Sequence, residues 1–140
     1  MSQQNVEVVT RMSDAFNRRE LDEFLGYLDP DIEWIPIMAV LEGRVYRGHA
    51  GVHRWIEDLE TDWETFETHQ EDFMPLGDRV LVFGRWHARA RVSGIELTGQ
   101  RASWLIDLRD GMITRLQTFT NRAEALAAAG LSEEDARAGS

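Results

Sequence analysis

No cysteine occurs anywhere in the chain, which excludes a disulfide framework and a thiolate nucleophile or metal ligand. No stretch approaches the roughly 20 apolar residues that a membrane-spanning helix needs, so no membrane segment is expected. The start, MSQQNVEVVTRMSDAF, lacks the basic opening and continuous apolar core of a secretory signal, and a cytoplasmic location is the default expectation. Positive charge is scarce: 15 basic residues stand against 25 acidic ones, a formal net charge of −10. Nucleic acid is therefore not expected as a partner, because affinity for its backbone comes from basic side chains releasing counterions. Internal repeats and low-complexity linkers are missing as well.

What remains is an ordinary soluble composition, 43% hydrophobic and 29% charged, on 140 residues. That length supports one domain with a real core and is too short for two comfortable ones. Val9, Met12 and Phe16 repeat at helical spacing, as do Leu21, Phe24, Leu25 and Leu28, so two short helices are predicted before Asp29-Pro30 stops the chain. DIEWIP alternates Ile32 and Trp34 against acidic residues and reads as a strand, with AVLEGRVY as its return. A third helix is predicted from His49 to about Phe66, its buried stripe formed by Val52, Ile56, Leu59, Trp63 and Phe66.

Beyond Glu67 the period changes to two, punctuated by Gly77-Asp78, Ser93-Gly94 and Asp110-Gly111. Four antiparallel strands follow, at about 68–76, 79–92, 95–109 and 112–120. Asn121 then caps an alanine-rich helix that Gly130 ends, and residues 132–140 read as a flexible tail after a single domain of 1–131. Helices first and a meander afterwards predict an α+β domain whose N-terminal helices pack on the concave face of a curved antiparallel sheet.

Residues opposed across a two-residue turn share a face, so each hairpin checks its neighbour. Strict register pairs Leu108 with Ile113, Ile106 with Arg115, Phe73 with Val82, Glu71 with Gly84 and His69 with Trp86. The middle hairpin closes only if one extra residue is accepted at Gly99-Gln100, a glycine bulge. The predicted inner face is then Phe73, Val80, Val82, Trp86, Ala88, Trp104, Ile106, Leu108, Ile113 and Phe119, interrupted by His69, Glu71, Arg115 and Gln117. A buried charge without a partner costs several kcal/mol, to order of magnitude, so these must be paired, solvated or used. Gly84 and Ala88, small residues opposite large ones, leave room for a pocket.

His69 and Glu71 are predicted as a coupled acid/base pair, or else as the wet end of an edge strand. Arg115 is a catalytic or binding candidate and Gln117 a binding candidate, able to donate to a carboxylate, enolate or carbonyl oxygen. The alternative is an ion pair of Arg115 with Glu42 or Glu96. Trp34, Trp86 and Trp104, with Phe73 and Phe119, would bind a flat apolar ligand or simply fill the core. On the outer face Phe83, Leu105 and Leu116 beside Arg85, His87, Asp107 and Thr114 predict a homodimer interface, or else are a few scattered exposed apolar side chains. The stripe Arg85, His87, Arg89 and Arg91 reads as solvated or dimer-facing. His49, His53 and Glu57 have legal ligand types at helical spacing, yet they lack the HExxH pattern and would open to solvent, so no metal is expected.

DPDIEW after two helices, YRGHAGVHRW opening the third, GDRVLVFGRW, LRDGMITRLQTF and the closing NRAEALAAAGL resemble the nuclear-transport-factor-2-like superfamily, specifically its SnoaL-like branch, from about Val6 to Leu131. The resemblance implies a cone-shaped α+β fold with a cavity for a mostly apolar small molecule, and a dimer through the open sheet. Its members include isomerases, polyketide cyclases, epoxide hydrolases, dehydratases and proteins without known activity. The departures are specific. Ile35-Pro36-Ile37 stands where ketosteroid isomerases carry a general-base aspartate, and Arg85-Trp86-His87 breaks the Arg-x-Asp pair of limonene-type epoxide hydrolases. Asn121 and Trp104 replace an aspartate and a histidine found in many SnoaL-like chains. The expectation is a cofactor-independent acid/base enzyme of the isomerase, cyclase or hydratase kind acting on an apolar ring or carbonyl substrate. Its rival is a catalytically silent ligand-binding protein of the same fold.

Overall fold

The computed structural model describes residues 2–37 and 43–138. Helix α1 (Ser2–Asn17) turns Val9, Met12 and Phe16 toward the core, with Ala15 and Ser13 buried between them. Arg19, at φ +58°, then reverses the chain into α2 (Leu21–Gly26). Its guanidinium donates to the Phe16 and Phe66 carbonyls at 2.7 and 2.9 Å, tying this corner to the sheet. Burial pulls that guanidinium below its ordinary pKa, against the opposing carboxylates of Glu60 and Glu67.

Strand β1 (Leu28–Ile35) runs through Asp29-Pro30 instead of starting after it. The proline donates no hydrogen bond, and the register against the neighbouring strand breaks between Leu28 and Glu33. Of the expected return strand, β2 (Tyr46–Arg47) is seen, and 38–42 lie outside the described residues. Helix α3 (Gly48–Asp62) buries Val52, Trp55, Ile56 and Leu59. It ends before the predicted Phe66, because Trp63 and Phe66 belong to β3 (Trp63–Leu76). Their three-residue spacing imitates a helix, but a bulge between Trp63 and Thr65 lets both aromatics face inward from a strand.

β3, β4 (Arg79–Ala90), β5 (Glu96–Arg109) and β6 (Met112–Phe119) form the meander, and β6 adds β1 in parallel. The sheet order is β2-β1-β6-β5-β4-β3. This is the expected α+β architecture: a curved, unclosed six-stranded sheet with α1 and α3 on its inner face.

The chain ends as the capping chemistry predicts, and then continues. Asn121 Oδ1 accepts the Glu124 N–H at 3.2 Å to open α4 (Arg122–Ala128), and Gly130, at φ +78°, closes it. Where a loose tail was expected, α5 (Glu133–Ala138) follows, with Ala136 buried. Ala125, Leu126 and Ala136 pack on Leu81, Phe83 and Leu105, forming a second small core on the outer face of the sheet.

Candidate functional site

Between α1, α3 and the inner sheet face lies a cavity of about 60 Å³. Its walls are mainly apolar, and half of the apolar side chains are aromatic. Phe16 stacks on Trp55 at 5.2 Å, Trp55 meets Trp34 at 5.1 Å, and Phe66 stacks on Trp86 at 5.4 Å between ring centroids. Trp104, Met12, Pro36, Ile37, Leu59, Ala102 and Leu116 complete the apolar lining. The polar lining is Ser13, Thr68, Gln70 and Thr118, so no titratable side chain lines the cavity among the described residues.

Two of these polar groups satisfy each other, Ser13 Oγ and Thr68 Oγ1 standing 3.1 Å apart. Behind them Asn17 pairs with the backbone of the edge strand, its amide donating to the Thr68 carbonyl at 2.7 Å and accepting the Thr68 N–H at 3.0 Å. Three other polar groups of lining residues have no hydrogen-bond partner among the described residues: the indole N–H of Trp34, the indole N–H of Trp86 and the Thr118 hydroxyl, all buried.

Of the residues singled out in the sequence, Trp34, Trp86 and Trp104 line the cavity. Phe73 is half-buried and packs against the main core outside the lining. His69, Glu71, Arg115, Gln117 and Phe119 are not on the inner face at all. In β3 the register slips between Gln70 and Asp72, leaving Glu71 as an extra residue. Beyond it Gln70 faces Gly84 and Thr68 faces Trp86, while His69 sits opposite Arg85 on the outer face. In β6 the slip falls between Ile113 and Arg115 at Thr114, whose hydroxyl donates to the Asp107 carbonyl at 3.2 Å. Leu116 and Thr118 thereby replace Arg115 and Gln117 on the inside, and Phe119 joins the outer cluster. A strand can avoid burying an unpaired charge by gaining a bulge, which turns every later side chain over.

Both slips are legible in hindsight, since each strict register had placed a charged residue among apolar ones. The third, expected at Gly99-Gln100, lies in that region: Gly99 takes φ +64° and donates its N–H to His87 Nδ1 at 2.9 Å. The turn beside it spans Arg91 to Gly94 rather than two residues, with Ala90 N–H donating to Ile95 O and Ala88 opposite Leu97.

On the outer face the displaced residues find ordinary partners. His69 Nε2 is 3.1 Å from Glu67, and its ring meets the His87 ring edge-on at 4.8 Å. Glu71 pairs with Arg85 at 3.3 Å. Arg115 pairs with Glu33 at 3.7 Å, not with Glu96, which faces Arg89; Glu42 lies outside the described residues. Arg91 donates to the Glu60 and Trp63 carbonyls, so the basic stripe is largely spent within the chain. The apolar patch expected to receive a second copy is occupied too. Leu116 points inward, and α4 covers Phe83 and Leu105, with the Arg122 guanidinium 4.0 Å above the Phe83 ring. The dimer expected through this face loses that basis.

In α3, His49 Nε2 bonds the Leu28 carbonyl at 2.9 Å, while His53 and Glu57 are exposed. Among the described residues no helix is long and apolar enough to cross a membrane.

The family model for the SnoaL-like domain matches residues 9–116. No curated protein matches the chain. Among solved structures, TerC co-crystallised with polyporic acid is 25% identical with a TM-score of 0.75, covering 93% of this chain and 98% of its own. An NTF2-like protein of unknown function from Burkholderia pseudomallei is 24% identical at a TM-score of 0.75, over 89% and 95% of the two chains. A putative SnoaL-like polyketide cyclase from Jannaschia is 20% identical at 0.70, over 84% and 85%. With the family model spanning most of the chain, and the same helix-covered open sheet in these neighbours, the protein belongs to the SnoaL-like domain family.

Proposed function

We propose that the protein binds an apolar ring-shaped small molecule in the cavity between α1, α3 and the sheet, without acid/base chemistry from the walls. The observation behind this reading is the lining itself: aromatic and aliphatic side chains, four neutral polar residues and no titratable group among the described residues. General acid/base catalysis needs a proton donor or acceptor within hydrogen-bond reach of the substrate. His69, Glu71 and Arg115, the groups that could have served, face away from the cavity in bonds to Glu67, Arg85 and Glu33. Covalent catalysis is equally short of agents. The chain has neither cysteine nor lysine, and among the described residues the lining hydroxyls of Ser13, Thr68 and Thr118 have no basic side chain beside them in the cavity. TerC, the neighbour co-crystallised with polyporic acid, supports a small-molecule role for this fold.

The cavity is small beside the roughly 300 Å³ at the lower end of ligand pockets, so binding displaces part of the wall. Met12, unbranched and polarizable, is the side chain best able to yield. Titration with tetralin, followed by thermal stability and tryptophan fluorescence, tests the reading. Saturable binding is expected in the wild type and in the triple variant His69→Ala, Glu71→Ala, Arg115→Ala. It should weaken at least tenfold in Ala102→Val, which fills the cavity from β5. Loss of binding in the triple variant with Ala102→Val unaffected would place the ligand on the outer face and sink the proposal.

A further inference from the structure

We propose that the cavity selects an uncharged ring molecule bearing oxygen acceptors, and that the indole N–H groups of Trp34 and Trp86 are the donors that read them. This rests on the cavity being the ligand site. Both indoles belong to cavity-lining residues, only 4 and 9% exposed, and neither N–H has a hydrogen-bond partner among the described residues. A buried donor without a partner carries its full desolvation cost, and native proteins leave few of them. An indole donates and cannot accept, so what satisfies it must bring a lone pair. The Thr118 hydroxyl, 2% exposed and also unpartnered, adds a group that can donate or accept.

The position of the donors limits the ligand further. Trp34 lies on β1 and Trp86 on β4, with β6 and β5 between them in the sheet. Three strand spacings are about 14 Å at the backbone, so the donors come from opposite walls and the acceptors sit at opposite ends of the ring. Charge is excluded by the same lining. Among the described residues no arginine or histidine lines it to offset an anion, and no carboxylate to offset a cation, while burying an unpaired charge is far costlier than burying a carbonyl. The aromatic walls supply the stacking surface that a flat ring needs.

Tetralin and chroman-4-one test this directly, having nearly the same shape while the second places an ether oxygen and a carbonyl across the ring. In the wild type chroman-4-one is expected to bind about tenfold more tightly than tetralin. In the double variant Trp34→Phe, Trp86→Phe the ratio falls to within about twofold, with tetralin still bound. Should that variant fail to fold, the indole N–H resonances of the unaltered protein decide. Two of the five tryptophan signals should move downfield with chroman-4-one and stay with tetralin. Equal affinities with no indole shift would overturn the proposal and leave the apolar site standing. So would tighter binding of phenyltrimethylammonium or 2-naphthoate. Failure of both neutral probes to bind would remove the ligand site and this inference together.

Discussion

Gly84 offers the sharpest test of the sheet geometry. It faces Gln70 on one side and Ala102 on the other, and its small size suggests room for a ligand. The structure gives a different reason. A Cβ at this position would stand 2.1 Å from the His69 carbonyl oxygen and 3.1 Å from Cζ3 of Trp104. The close approach is made by the backbone of β3 next to its bulge, so it cannot be relieved by rotating a side chain. Overpacking of this kind costs about 1–3 kcal/mol, and a rigid backbone neighbour puts Gly84→Ala near the upper end. Loss of glycine's freedom in the unfolded chain returns only about 0.4–1 kcal/mol. At roughly 2.1 cal/mol/K of unfolding entropy per residue, a chain of 140 residues loses about 3 °C of Tm per kcal/mol. Thermal and urea unfolding of Gly84→Ala should therefore show a fall of about 2–3 kcal/mol and about 6–10 °C. Gly26→Ala is the control: a Cβ there meets nothing within 4 Å, and the expected change is neutral or slightly stabilising. Equal stability of the two variants would show that β3 does not approach Gly84 as described.

Asn17→Ala removes both side-chain bonds to Thr68 and should cost about 2 kcal/mol, with faster hydrogen exchange at the Thr68 amide; unchanged exchange there would refute the clamp. Arg122→Ala removes the cation above Phe83 and the pair with Glu133 and should cost about 1 kcal/mol. Glu133→Gln should cost under about 0.5 kcal/mol, as an exposed pair. If the two denature alike, the ion pair and not the ring contact holds α4 down.

Much of the fold was legible because its signals are local. The stripe of α1, the Val52, Ile56 and Leu59 part of that of α3, the turn glycines, the Asn121 cap and the alternation of β4 and β5 each follow from a few neighbouring residues. The cavity was half legible for the same reason, since Trp34, Trp86 and Trp104 sit on strands, or stretches of strand, whose faces alternation assigns. What failed was propagation. A hairpin register carries a face assignment outward from the turn, so one unrecognised extra residue inverts everything beyond it. Phe73 and Ile113, on the turn side of the slips, were placed inward correctly. His69 and Glu71 in β3, and Arg115, Gln117 and Phe119 in β6, were not. Inward charges suggest chemistry, but their desolvation cost is equally the mark of a bulge. Ser13, Thr68, Gln70 and Thr118 carried no such signal, being small neutral residues whose importance depends wholly on where the backbone turns them.

The extra residues at Glu71 and Thr114 also separate chain length from face in these two strands. Removing one residue from a strand ordinarily exchanges its buried and exposed sides. Here, deleting Glu71 would return β3 to plain alternation with Thr68 and Gln70 still turned inward, and deleting Thr114 would do the same for Leu116 and Thr118. Straightening either strand without the deletion would bring His69 or Arg115 into the cavity. A neutral pocket and a charged one are thus separated in this sheet by whether one residue of each strand is bulged out, with the sequence unchanged.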